Sequence, residues 1–239
     1  MSRLTRSGPS PRAVAVAGIV AGLSANYWAL ESLLAERTDP AGSWISDLGA
    51  RTESTGVLFD LLEAFSGVAL IAFGLLLVPV LAGRSRELRW GTWGLVAVGA
   101  CTVVDGAFPL SCGETLAEPC ELRYDLVDLV HGGETFLAVA ITIATFALLA
   151  RGLLDEADEG LRRLGAGTAG AGVAWTALNA MMGAQYLIGD LASVKGVFHR
   201  AAQVVLGIWL VALALGVRAM VLRRPGERDA VPRAWQDRP

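Results

Sequence analysis

The stretch DLVDLVHGGETFLAVAITIATFALL, residues 125–149, decides the fold class of this chain. As a helix it is long enough to cross a bilayer, because about 20 apolar residues suffice. Its ionisable residues all fall within the first three turns, and they are Asp125, Asp128, His131 and Glu134. Ionisable residues inside a membrane span are costly and by default mark a functional site. The stretch therefore predicts a membrane helix with a polar site near one end.

The composition of the whole chain agrees with this interpretation. Hydrophobic residues make up 54% of the 239 residues, and the mean hydropathy is +0.50. Long apolar runs recur along the chain, which is typical of an integral membrane protein. The net charge of −3 argues against a nucleic-acid partner. Membrane lipids are the partners that the sequence predicts, and it leaves the oligomeric state open.

Six apolar segments are long enough to span a membrane, which predicts an all-α, polytopic bundle of six transmembrane helices. The predicted spans are 13–34, 57–82, 90–109, 126–150, 164–188 and 196–222. The first run is longer than the apolar core of a signal peptide, so we interpret it as a retained span. Residues 1–12 and 223–239 are predicted to be cytoplasmic tails, the second disordered because it is rich in Pro, Arg and Asp.

The distribution of basic residues predicts the orientation in the membrane. Fourteen of the 20 Lys and Arg residues lie in the two tails, in the loop after the second span and in the loop after the fourth, and Arg218 in the last turn of the sixth span makes fifteen on that side. Cytoplasmic loops carry an excess of these residues. The sequence therefore predicts a multi-pass protein of the cell membrane with both termini in the cytoplasm.

The cysteines fit the same orientation. Cys112 and Cys120 fall in the second predicted outer loop, whereas Cys101 falls within the third span. Disulfides persist in oxidising compartments. We therefore predict a disulfide between Cys112 and Cys120 and a free Cys101.

Polar residues gather in the predicted outer half of the spans. The candidate ligand-pocket residues are Asp105, Asp128, His131, Glu134, His199, Arg200 and Gln203. Asp128, His131 and Glu134 are three residues apart, which places them on one broad helical face. At 1.5 Å per residue, His131 and His199 lie roughly 5–10 Å below their helix ends. The two histidines are therefore expected to converge.

Several functions fit this polar cluster. The first is an outward-facing pocket that binds a lipid headgroup, a small ligand or protons. The second is a zinc site formed by His131, Glu134 and His199, because imidazole and carboxylate ligands suit zinc. A zinc-bound water would make the protein a metal-dependent hydrolase of a lipid or lipid-linked substrate. In the third, the polar residues only hold helices together. Haem ligation by the two histidines has no other support.

The loop after the first span offers two further catalytic candidates. Ser46 and Asp47 could act with Glu134 as a nucleophile and its partners. A turn or helix-cap role is the more ordinary explanation for adjacent Ser and Asp residues. The sequence leaves open whether the protein is an enzyme.

These motifs resemble those of domain-of-unknown-function family 998, a group of bacterial six-span membrane proteins. The resemblance rests on Ile45-Ser46-Asp47-Leu48-Gly49-Ala50, on Asp105 with Phe108-Pro109, on His131, and on Gly196-Val197-Phe198-His199-Arg200. It covers roughly residues 13–222. The resemblance implies the six-span architecture and no particular reaction.

The charge bias leads to a test of topology. Ala157 lies in the loop after the fourth span, which is predicted to be cytoplasmic. A single cysteine introduced at that position, with the native cysteines replaced, should resist membrane-impermeant thiol reagents in intact cells. It should react after the membrane is permeabilised. Labelling in intact cells would contradict the predicted orientation.

Overall fold

The computed structural model describes residues 8–35, 39–113, 126–185, 188 and 193–222. Within these ranges the chain is helical and contains no strand. The α-helices are α1 (Pro11–Ser24), α2 (Glu31–Leu34), α3 (Gly56–Leu81), α4 (Arg86–Ala107), α5 (Leu126–Leu154), α6 (Glu159–Ala184) and α7 (Lys195–Leu222). The predicted helical fold is confirmed. The predicted tail 223–239 lies outside the described residues.

The six longer helices form a closed ring. From α3 to α7 each helix packs against the next in the chain, α1 packs against α3, and α7 returns to α1. The turns at residues 82–85 and 155–158 lie at one end of the ring. Residues 39–50 and 108–113 lie at the other, which we call the loop end. At the end opposite the loop end, side chains cap the N-termini of the helices. Ser85 Oγ, for example, accepts a hydrogen bond from the Leu88 N–H at the start of α4.

An ion pair joins the two turns opposite the loop end. The Arg84 guanidinium donates two hydrogen bonds to the Glu156 carboxylate, at 2.7 and 2.6 Å. This hydrogen bonding raises the pKa of Arg84 above its ordinary value. The pair ties the α3–α4 turn to the α5–α6 turn and so holds neighbouring hairpins together.

The first predicted span is not one continuous helix. α1 ends at Ser24, and a 3₁₀ turn at Tyr27–Leu30 leads into the short α2. The two parts are bent by 52°. Asn26 Nδ2 donates to the Gly22 carbonyl at 3.1 Å. Polar side chains that bond to nearby backbone in this way compete with regular helix formation, and this bond lies beside the end of α1.

Length and hydropathy alone identify fewer spans than the sequence prediction. Helices α3, α5 and α7 are long and apolar enough to cross a membrane, and α1 with α2 makes a fourth if the bent pair is one span. Helices α4 and α6 are long enough but less apolar, since each begins with charged residues. The structure therefore describes a membrane-embedded helical bundle, and the count of six spans stays a prediction.

Glycines set the closest helix approaches. A Cβ at Gly99 of α4 would lie 2.7 Å from the Gly67 carbonyl oxygen of α3, and a Cβ at Gly67 would lie 2.6 Å from the Gly99 carbonyl oxygen. Backbone cannot move aside as a flexible side chain can. Small residues at this crossing therefore let the two helices pack directly on each other.

This crossing gives the first test of the fold. Gly99→Ala should lower the melting temperature of the purified protein, because overpacking typically costs about 1–3 kcal/mol. Gly167→Ala is the matched control, since a Cβ there would meet nothing within 4 Å. Equal melting temperatures for the two variants would contradict the described α3–α4 contact.

Candidate functional site

Asp105 and His131 form the centre of a buried polar cluster. Nδ1 of His131 lies 2.8 Å from Asp105 Oδ1 and 3.1 Å from the Phe108 carbonyl oxygen. Both neighbours accept hydrogen bonds, so Nδ1 carries a hydrogen. The Nδ1–H bond is directed at Phe108, and within the described chain Asp105 Oδ1 has no well-directed hydrogen bond. His131 therefore joins α5 to the end of α4.

Two further carboxyl groups meet Asp105. Glu63 of α3 and Glu134 of α5 each place a carboxyl group close enough to Asp105 to interact with it directly. Carboxylates this close repel one another, so a shared proton or a bound cation is the favourable arrangement. We call Glu63, Asp105, His131 and Glu134, together with Tyr27, the acid–histidine cluster.

The break in the first span brings Tyr27 to the cluster. Its hydroxyl lies near the Glu63 carboxyl group, and its ring packs against Phe59 with a centroid distance of 6.3 Å. A regular helix through residues 24–31 would orient this side chain differently. The cluster thus consists of side chains from the first span, α3, α4 and α5.

The segment with the Ser46-Asp47-Leu48-Gly49 motif covers the cluster at the loop end. It forms a 3₁₀ turn at Ser46–Gly49 that packs against α3. Leu48 and Ile45 are buried with Phe59 in a small apolar core. Any Cβ at Gly49 would clash with the Asp60 carboxyl group. Only glycine lets the turn approach α3 so closely.

Within this turn Asp47 has a structural role. Its Oδ2 accepts from the Trp44 N–H at 2.8 Å, and its side chain is buried. A Cβ built on Gly113 would lie 3.3 Å from Asp47 Cβ, so the two loops of this end are in contact. Ser46 is half-buried beside it. The catalytic role considered for Ser46 and Asp47 stays a hypothesis.

His199 contacts the loop rather than the acids. Its Nδ1 accepts from the Ile45 N–H at 3.2 Å, and its ring meets the Trp44 ring edge-on at a centroid distance of 5.8 Å. Because Nδ1 accepts a hydrogen, the ring is neutral and its proton is on Nε2. His131 and His199 therefore have different hydrogen-bond partners. The predicted shared site for the two histidines stays a prediction.

Arg200 forms the most buried ion pair at this end. Its guanidinium binds the Glu31 carboxylate through two hydrogen bonds, one of 2.6 Å from Nε. A third bond runs from Nη1 to the Ser43 carbonyl oxygen at 2.9 Å. Glu31 is 4% exposed and Arg200 6%. Paired and hydrogen-bonded in this way, both charges can be tolerated away from water.

The remaining pocket candidates lie around these groups. Asp128 of α5 accepts from the backbone N–H and hydroxyl of Ser111, at 3.0 and 2.8 Å, and so holds the second loop onto α5. Gln203 is half-buried one turn after His199. The seven candidates therefore do not form one set. Asp105, His131 and Glu134 belong to the cluster, whereas Arg200 and His199 hold the first loop on α7.

His199 contacts the first loop, apart from His131 and Glu134, the other two predicted zinc ligands. Within the described residues, no group of three or more His, Cys, Asp or Glu side chains could hold a metal ion. His199 is unsuited as a ligand in this arrangement, because one ring nitrogen accepts a hydrogen bond and the other carries the proton. Zinc binding by His131, Glu134 and His199 therefore has no support in the geometry.

The predicted disulfide lies partly outside the described residues. Cys101 is a free cysteine, as expected. Cys112 lies within the described chain, but Cys120 lies outside the described residues. The Cys112–Cys120 bridge stays a prediction.

The candidates from the sequence omitted Tyr27 and Glu63. Glu63 shows the same signal as the candidates, an acid in the first turns of a predicted span, and could have been chosen on that ground. Tyr27 gives no such signal, because its position depends on the break in the first span.

The fold and the cluster define an integral membrane protein of the polytopic helical class. A family model described as "Protein of unknown function (DUF998)" matches residues 15–216, and the chain belongs to this family. The predicted resemblance is confirmed. Searches of curated proteins and of solved structures found no match.

The His199 contact gives a test with a built-in control. His199→Ala would leave the Ile45 N–H without its acceptor, at a cost of about 1–3 kcal/mol. His199→Asn should retain most of the stability, because the Asn Oδ1 occupies nearly the position of Nδ1. Thermal unfolding of the purified variants would measure the difference. Equal melting temperatures for the Ala and Asn variants would contradict the contact.

Proposed function

We propose that this protein binds a small positively charged group, the ammonium of an amine, in the acid–histidine cluster. The observation that supports the proposal most is the direct interaction of three carboxyl groups from three helices, Glu63, Asp105 and Glu134. Asp60 adds a fourth acid that interacts electrostatically with Asp105. A purely structural network would more simply pair each acid with a base or a backbone donor.

The balance of charges around the cluster supports a cationic ligand. His131 is the one base in direct contact with Asp105 in the described chain. Arg200, the nearby cation of α7, is already paired with Glu31. Acids with too few bases must keep protons or take up a cation. An ammonium group would replace the shared protons and donate up to three hydrogen bonds to the carboxylates.

The predicted topology indicates on which side of the membrane the ligand would bind. If both termini are cytoplasmic, the loop end faces the outside of the cell membrane and the cluster lies in the outer half of the bilayer. The ammonium could then come from a free amine or from the headgroup of a membrane lipid. A free amine and a lipid headgroup present the same ammonium group, and binding measurements with separate probes distinguish them.

The experiment uses the full-length protein in nanodiscs of phosphatidylglycerol, a lipid without an amine. Ethylammonium tests the free amine, and lysophosphatidylethanolamine tests the lipid headgroup, each by calorimetric titration. At least one probe should bind, and Glu134→Gln should weaken its binding at least tenfold. Glu134→Gln keeps the shape of the side chain but removes its charge.

Glu159→Gln is the matched control, because Glu159 lies exposed at the other end of the ring. It should bind the probe as the unaltered protein does. Binding of ethylammonium alone would indicate a free amine, and binding of the lysolipid alone would indicate a headgroup. Equal affinity of the Glu134→Gln variant and the control, or no binding of either probe, would overturn the proposal and favour a structural role.

A further inference from the structure

A cavity lies beside the bent first span. It has a volume of about 440 Å³ and lies between the end of α1 and the middle of α7. Volumes of small-molecule sites run from about 300 to 1,000 Å³. The cavity exists because the first span breaks after Ser24 and so leaves α7 partly uncovered. We call this cavity the α1–α7 groove.

The groove faces the bilayer. Leu23 and Ile208 line it, and their side chains are 69% and 66% exposed. Large aliphatic side chains exposed on spanning helices contact hydrocarbon. Gly22 and Gly207 also line the groove, and each would place a Cβ 2.5 Å from the other's carbonyl oxygen. The two helices touch at these glycines, so the groove has a backbone floor and apolar rims.

Two polar atoms of the lining residues lack partners. Asn26 Oδ1 and Trp28 Nε1 are buried and have no hydrogen-bond partner in the part of the chain that the structure describes. The orientation of the Asn26 amide is fixed, because its Nδ2 donates to the Gly22 carbonyl oxygen. Both atoms belong to residues that line the groove, whose other lining residues are apolar. Buried polar groups without partners are costly, and a ligand that supplied these two hydrogen bonds would remove that cost.

The two atoms define the chemistry of a ligand that would complement the groove. Asn26 Oδ1 needs a donor, and Trp28 Nε1–H needs an acceptor. A hydroxyl group supplies both, whereas an ester or ether supplies only an acceptor. We propose that the α1–α7 groove binds a long-chain lipid with a free hydroxyl group, its chain along the apolar rims and its hydroxyl near Asn26 and Trp28.

This site does not depend on the proposed function. Tyr27 turns toward Glu63 and the cluster, whereas its neighbours Asn26 and Trp28 line the groove. The groove contains no carboxylate, so an ammonium group gains nothing there. The two sites can be tested separately, and the failure of one leaves the other in place.

The experiment uses photo-crosslinking of the full-length protein in phosphatidylcholine nanodiscs, because diacylphosphatidylcholine has no free hydroxyl group. The probe is monooleoylglycerol with a diazirine in its acyl chain, and peptides are mapped by mass spectrometry. Crosslinks should concentrate in residues 22–29 and 204–211. Unlabelled monooleoylglycerol should compete at least fivefold better than methyl oleate, which lacks the hydroxyl groups.

Crosslinking of two variants distinguishes binding in the groove from ordinary contact with membrane lipid. Val204→Trp fills the groove from α7 and should reduce the crosslinks at least fivefold. Val68→Trp is the matched control, because Val68 is 54% exposed on α3 outside the groove, and it should leave them unchanged. Even labelling of all membrane-facing segments, equal competition by methyl oleate, or unchanged crosslinking of a folded Val204→Trp variant would overturn the proposal.

Discussion

Charged side chains in a membrane must be paired, and at the loop end of this protein the Glu31–Arg200 pair meets that requirement. Each charge is almost fully buried, and each would be very costly if left alone. The pair also fixes position, because Arg200 bonds to the Ser43 carbonyl oxygen. One guanidinium thereby joins the broken end of the first span, the first loop and α7.

The rest of the loop end depends on this junction. The Gly196 N–H donates to the Ala41 carbonyl oxygen at 2.8 Å, and the Ile45 N–H donates to His199 at 3.2 Å. Gly196 has no room for a side chain, since a Cβ would lie 2.5 Å from the Pro40 carbonyl oxygen. These contacts hold the turn at Ser46–Gly49 at the loop end, where it packs against α3.

The sequence predicted α3, α5 and α7 well, because each is a long apolar run with clear ends. α7 was expected at 196–222 and lies at Lys195–Leu222. The break in the first span could not be predicted from hydropathy, because residues 24–30 are apolar enough to continue a helix. A local bond from Asn26 to Gly22 accompanies the break.

The depth of the polar residues was predictable, but their partners were not. A residue's position along a helix gives its depth, whereas its partner depends on how the ring closes. His131 and His199 lie near the same end, yet one bonds to the end of α4 and the other to the first loop. Asp105, His131 and His199 belong to the motifs that carry the family resemblance. For the same reason, that resemblance did not indicate which of these residues act together.

A double-mutant cycle on Glu31 and Arg200 tests the central claim most directly. Either Glu31→Gln or Arg200→Gln alone should lower the free energy of unfolding by about 3–5 kcal/mol, because each leaves the other charge buried and unpaired. The double variant should be much more stable than the sum of the two losses predicts. Strictly additive losses, or single variants as stable as the unaltered protein, would contradict the claim that this pair holds the loop end together.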